Sequence, residues 1–139
     1  MSDIESIQSE IIEEFSLFDQ WMDKYEYIID LGKKLPLIAP EFKDQEHLIP
    51  GCQSQVWLHA EIKDGNIEFT ADSDAVITKG IIALLIRVLN QQKPEAIASS
   101  ELHFIDEIGL KEHLSPTRSN GLVSMVKQIK VIANEMRLH

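Results

Sequence analysis

The sequence predicts an α+β fold, with a small antiparallel sheet of about three strands packed by helices. Two patterns predict it. Apolar residues recur at helical spacing near the N-terminus, in the middle and along the C-terminal part, whereas residues 53–71 alternate instead. The order is helix, helix, sheet, then helices, and that segregation separates α+β from an alternating α/β chain. No repeat, low-complexity segment or internal boundary interrupts the 139 residues, so residues 1–139 read as one domain.

Ile4, Ile7, Ile11 and Phe15 share one face of a first helix, with Glu and Gln between them. Ser16, with Asp19 three residues on, resembles a capping box that opens a second helix. Trp21, Tyr25, Ile28 and Ile29 make that helix's apolar face. Gly32 fits its C-cap, Lys33 and Lys34 suit the negative end of its dipole, and Pro36 stops it. The two helices read as a hairpin, and residues 36–46 as a loop. Three extended segments follow. His47 to Ile49 is the weakest. Gln53 to Ile62 puts Val56 and Leu58 on one face, Trp57 and His59 on the other. The third runs through Ile67, Phe69 and Ala71, after a turn at Asp64-Gly65 or Gly65-Asn66.

Asp72, Ser73 and Asp74 are N-cap candidates for a helix from Ala75 to Asn90. That helix is apolar nearly all round, which marks it as the buried centre. Gly80 inside it costs helix stability and implies a close packing contact. Pro94 opens an irregular region with about two brief helices. Ser115-Pro116 then reads as the N-cap and first residue of a last helix. Leu122, Met125, Val126, Ile129, Ile132 and Met136 give it one apolar stripe.

Thirteen Lys and Arg against twenty-three Asp and Glu leave a formal charge of -10. Such a chain repels phosphate backbones and anionic lipid unless a basic patch overrides the field. Lys33-Lys34 is the only adjacent basic pair, so neither nucleic acid nor membrane is an expected partner. The acidic N-terminus does not resemble a signal peptide. The apolar run from Gly80 is broken by Arg87 and too short to span a bilayer, which makes the cytoplasm the expected compartment. One cysteine cannot form an internal disulfide, furnish a Cys-rich zinc site or hold an iron–sulfur cluster unaided. No metal or cofactor of the chain's own is expected.

That cysteine, Cys52, stands in PGCQSQVW, directly after a Pro-Gly turn and directly before a strand. Gly51 permits positive φ and Pro50 fixes the approach, so the thiol is presented at the end of a strand. Gln53, Ser54 and Gln55 put polar groups beside it, able to hydrogen-bond a thiolate or persulfide. Against this stands the ordinary fate of a free cysteine, which is burial as a small hydrophobe.

Three segments carry a resemblance: PGCQSQVW, DSDAVITKG at 72–80 and HLSPTRSNGL at 113–122. In this order and spacing they resemble the signature segments of the SufE family, sulfur acceptors that work with cysteine desulfurases in iron–sulfur cluster assembly. WMDKYEYIIDLGKKLP resembles that family's second helix and the following loop. The similarity runs from about residue 10 to about residue 136. It implies an α+β fold like that of the cluster scaffold IscU. It implies that Cys52 takes persulfide sulfur from a SufS-like desulfurase, stimulates that enzyme, and passes the sulfur to a SufB-like scaffold. Pyridoxal phosphate would belong to the desulfurase. The chain would be a sulfur-transfer partner rather than a stand-alone enzyme.

The chemistry agrees with this division of labour. Thiol exchange needs a thiolate, access and a good leaving group. A persulfide in open solvent is lost to reductants or oxidised. The resting loop is therefore expected to shelter the sulfur in an apolar pocket, with Pro50-Gly51 as a hinge. Asp72 and Asp74 match the DSDA segment and would cap the central helix, fix the Cys52 loop, or both. Two carboxylates near a thiol raise its pKa, which speaks against their activating it. Arg118 matches the arginine of the last motif, near a helix N-terminus where the dipole gives it nothing. It would pair with Asp72 or Asp74, stabilise the thiolate, contact the desulfurase, or form a plain surface ion pair. His59 lies too far along its strand to touch Cys52, and His113 reads as solvated or capping. Lys79 reads as the polar edge of the buried helix, Trp21 and Trp57 as core or half-buried. A regulatory module that activates a desulfurase without carrying sulfur is the alternative, and a cysteine hydrolase a remoter one.

Overall fold

The computed structural model describes residues 3–137. The first helix, α1 (Ile4–Phe15), is capped by Asp3, whose carboxylate accepts the Ser6 N–H at 2.8 Å. Ser16 does not open the next helix. Its N–H continues the helical ladder to Ile12 O at 3.0 Å, so it closes α1 instead. The second helix, α2 (Trp21–Gly32), starts after Gln20 with no side-chain cap.

Two strands form the sheet, β1 (Val56–Lys63) and β2 (Asn66–Ser73), joined at Asp64-Gly65 with both turn residues at positive φ. The antiparallel register pairs Leu58 with Ala71, Ala60 with Phe69 and Ile62 with Ile67, which puts the apolar residues on one face. The expected third strand at 47–49 is reduced to a single bridge, Leu48 to Trp57. Asp44 accepts the His47 N–H and winds residues 45–47 into a 3-10 turn, and Pro50 has no N–H with which to continue the pairing. The outer edge of β2 is covered at Ala71 by Leu37 and at Ile67 by Gln92.

The central helix α3 (Val76–Leu89) packs against α1, α2, β2 and the last helix, α7 (Pro116–Arg137). Its apolar circumference is buried as the pattern predicts except at Val76 in the first turn, with Ile82, Leu84, Leu85 and Leu89 almost completely enclosed. Two glycines set the α2–α3 approach. A Cβ on Gly80 would lie 2.2 Å from Ile28 O, and one on Gly32 3.0 Å from Gly80 N. Gly32 is therefore a contact residue at the end of α2 rather than a positive-φ cap, since Lys33 after it is still right-handed helical. Between α3 and α7 lie three short helices rather than two: α4 (Pro94–Ser99), α5 (Phe104–Glu107) and α6 (Leu110–His113). Gln8 ties α1 to this region. Wholly buried, it donates to Glu101 O at 3.1 Å and accepts the Phe104 N–H at 3.1 Å. No helix among the described residues is long and apolar enough to cross a membrane.

Candidate functional site around Cys52

The loop from Ile49 to Val56 is closed at its root by the Ile49 N–H donating to Val56 O at 2.8 Å. Gly51 has φ +86°, the left-handed conformation expected of the Pro-Gly turn. A second clamp holds the far side. The Gln55 N–H donates to Asp74 Oδ1 at 3.0 Å, and Gln55 O accepts the Ser73 hydroxyl at 2.8 Å and the Asp74 N–H at 3.3 Å. Of the roles foreseen for Asp74, fixing the Cys52 loop is the one observed. Neither Asp72 nor Asp74 caps α3, because β2 runs on through Ser73 and the helix begins after Ala75 with no side-chain cap.

Between the clamps, Cys52 is half-buried against α7. Its Sγ donates to Gly121 O at 3.6 Å, and a Cβ on Gly121 would stand 3.7 Å from the sulfur. Burial pushes the thiol pKa up. Cys52 forms part of the wall of two hollows. One, of about 330 Å³, is floored by Ile81 and Met125 and rimmed by Gln53, Ser54, Ser115 and Arg118. The other, of about 340 Å³, lies on the Gln45, Leu48 and Gln55 side. The shelter is thus apolar below and polar at the mouth, not wholly apolar. Gln53 and Ser54 line it, yet the sulfur's hydrogen bond goes to the Gly121 carbonyl rather than to either of them.

The other foreseen residues divide. Arg118 reaches the recess but forms no ion pair with Asp72, Asp74 or any other described residue. Its own N–H is taken by Ser115 Oγ at 3.3 Å, the cap predicted for α7. Asp72 is already engaged, with Lys43 at 3.1 Å and Lys79 at 3.3 Å. Burial would raise its pKa, but the bonds from Lys43, the Ser73 backbone and Lys79 outweigh that and hold it below the usual range. Lys79 is therefore an ion-pair partner at the edge of α3. Lys43 Nζ also sits 4.7 Å above the half-buried Trp57 ring. His113 stacks on Trp21 at the foot of α6, and its Nδ1 bonds Gly109 O at 3.0 Å. His59 bonds His47 and Glu61. The sulfur's own partner, Gly121, lay within the HLSPTRSNGL segment, but no role was foreseen for it there.

Comparison with known proteins identifies the family and the fold. Residues 9–133 match the family model described as SufE, Fe-S metabolism associated domain. The chain is 39% identical over 126 residues to an uncharacterized SufE-like protein of Rhizobium meliloti, covering 87% of this chain and 90% of that one. It is 41% identical over 126 residues to another from Rhizobium etli, covering 87% and 85%. The solution structure of a hypothetical protein from Thermus thermophilus superposes with a TM-score of 0.79 at 19% identity, over 96% of this chain and 97% of that one. At that identity the likeness speaks for the fold.

Proposed function

The chain belongs to the SufE family, and from that premise we propose that Cys52 accepts persulfide sulfur from a cysteine desulfurase and delivers it to a cluster-assembly scaffold in the cytoplasm. The observation that carries the reading is the placement of the only cysteine. It sits on a positive-φ turn, clamped on both sides and set in the wall of a recess.

The transfer balances as a thiol exchange. The Cys52 thiol first gives up its proton. The thiolate then attacks the outer sulfur of the desulfurase persulfide. A new S–S bond forms at Cys52, the old one breaks, and the desulfurase cysteine leaves as thiolate. The raised pKa of the resting thiol opposes the first step. Docking must therefore bring the sulfur out of its recess, and Gly51 is the residue able to take up the backbone change. Between transfers the same recess shields the persulfide from reductants.

The test is intact-protein mass spectrometry after incubation with a cysteine desulfurase, pyridoxal phosphate and cysteine. Gain of one sulfur, absent in Cys52→Ser, is the expected result. An accelerated desulfurase with no sulfur on this chain would overturn the carrier reading in favour of a regulatory module.

A further inference from the structure

Two histidines outside the Cys52 recess face one another. His47, in the 3-10 turn, and His59, on β1, bring Nε2 and Nδ1 to 3.2 Å. A carboxylate holds the far nitrogen of each ring. His47 Nδ1 is 2.7 Å from Asp44 Oδ1, and His59 Nε2 is 3.1 Å from Glu61 Oε1. Phe42 stacks on the His59 ring with 3.8 Å between centroids. Both imidazoles are largely buried, with side-chain exposures of 22% and 19%.

Counting protons decides what this pair requires. A carboxylate only accepts, so each far nitrogen carries the N–H. A neutral imidazole has one N–H, so the two facing nitrogens then both present lone pairs. Lone pairs 3.2 Å apart repel. A cation between them removes the conflict, either a shared proton or a metal ion. Tetrahedral zinc, with nitrogen ligands at about 2.0–2.1 Å, sets two of them about 3.3 Å apart. A carboxylate behind each imidazole is the usual support of zinc-binding histidines.

We propose that His47 and His59 bind a divalent transition-metal ion of the zinc type, in competition with a shared proton. No three His, Cys, Asp or Glu side chains converge on one point among the described residues, so the chain supplies two firm ligands. Both histidines border a hollow of about 310 Å³, which leaves room for water to complete the shell. The ion ties the 45–47 turn to β1. Ile49, which closes the Cys52 loop, lies two residues beyond His47, so an occupied site braces the root of that loop.

The test uses the untagged full chain carrying Cys52→Ser, which removes the thiol as a competing ligand. Zn²⁺ is titrated calorimetrically, and histidine ring nitrogens are followed by NMR in the same protein. One saturable equivalent is expected, with shifts confined to the His47 and His59 rings. Affinity is expected to fall at least about tenfold in His59→Gln, and about tenfold in Glu61→Gln, which keeps both rings. Ring shifts at His103 or His113 instead would overturn the proposal. So would affinity unchanged in both variants, or no saturable binding below about 100 µM.

Discussion

Burial lifts the Cys52 thiol above its ordinary pKa, and the S–H is spent on the Gly121 carbonyl. Without a partner, alkylation by iodoacetamide is expected to run slower than for free cysteine at about pH 7.5, with a midpoint above that of an exposed thiol. Intact-mass time courses across pH measure this, and an exposed-thiol rate would contradict a sheltered resting loop. The same shift has a stability sign. The folded pKa lies above the unfolded one, so this contribution is complete below the unfolded value and is lost as pH rises through the folded one. Cys52→Ser removes that dependence. At Gly51 the backbone conformation resists a side chain. Its φ is +86°, and a Cβ there would meet Ser124 Oγ at 2.6 Å. Gly51→Ala is expected to cost about 1–2 kcal/mol in urea unfolding, mostly from the left-handed backbone, because a serine hydroxyl can rotate away. The turn was legible in PGCQ because Pro-Gly chemistry is local. The sulfur's contact was not, because Gly121 lies 69 residues away and meets Cys52 only once α7 has packed. Of the roles offered for Arg118, pairing with Asp72 is one the structure does not show, for the same reason. Its candidate partner Asp72 is held by Lys43, from the 36–48 loop, and by Lys79, from α3, contacts that form only once loop and helix lie against the sheet.

Periodicity located the helices well, because each buries a continuous stripe and burial is what spacing encodes. It located their ends less well. Ser16 has the composition of an N-cap, but it is the C-cap of α1, and cap chemistry cannot distinguish the end of one helix from the start of the next when both fit. The third strand failed because Asp44 bends its first residues into a turn, a competition that β-propensity does not contain. Gly80 was legible as a packing position, and two glycines on different helices test the argument. Gly80→Ala would drive a Cβ into the Ile28 backbone, which has nowhere to move, and is expected to cost about 3 kcal/mol. Gly121→Ala meets only Cys52 Sγ, at ordinary contact distance, inside α7. It is expected to stabilise the fold by up to about 1 kcal/mol. Urea midpoints of the two variants beside the parent decide the matter, and equal losses would mean that helix contact is not what glycine serves at position 80.

At the scale of the whole molecule, charge joins helices around Arg87 and around His103, and the two places titrate in opposite directions. Arg87 on α3 grips Glu14 on α1 through two bonds, at 2.8 and 2.6 Å, and Tyr27 on α2 donates to the same carboxylate. The Arg87 bonds, ahead of all else, hold the Glu14 carboxyl below its usual range. His103 bridges Glu107 on its own segment and Glu5 on α1, and those two bonds raise its pKa. The signs follow. Glu14 is depressed in the folded state, so its contribution is complete above the ordinary glutamate value and is lost as pH falls through the folded one. His103 is raised, so its contribution is complete below the ordinary histidine value of about 6.5 and is lost as pH climbs through the folded one. Stability is expected to be greatest between about pH 4.5 and 6.5, and thermal melts across pH would trace it. His103→Gln should flatten the alkaline side and leave the acid side alone, with a small amplitude because the ring is exposed to solvent. Arg87→Met should steepen nothing on the alkaline side but remove most of the Glu14 component of the acid limb, the Tyr27 bond keeping the rest. It is expected to cost about 1–2 kcal/mol at neutral pH, between the values for exposed and buried pairs, because both side chains are about one-third exposed. An acid limb unchanged in Arg87→Met would mean that the pair is geometry without energetic weight, and that the buried face of α1, rather than this charge, holds it in place.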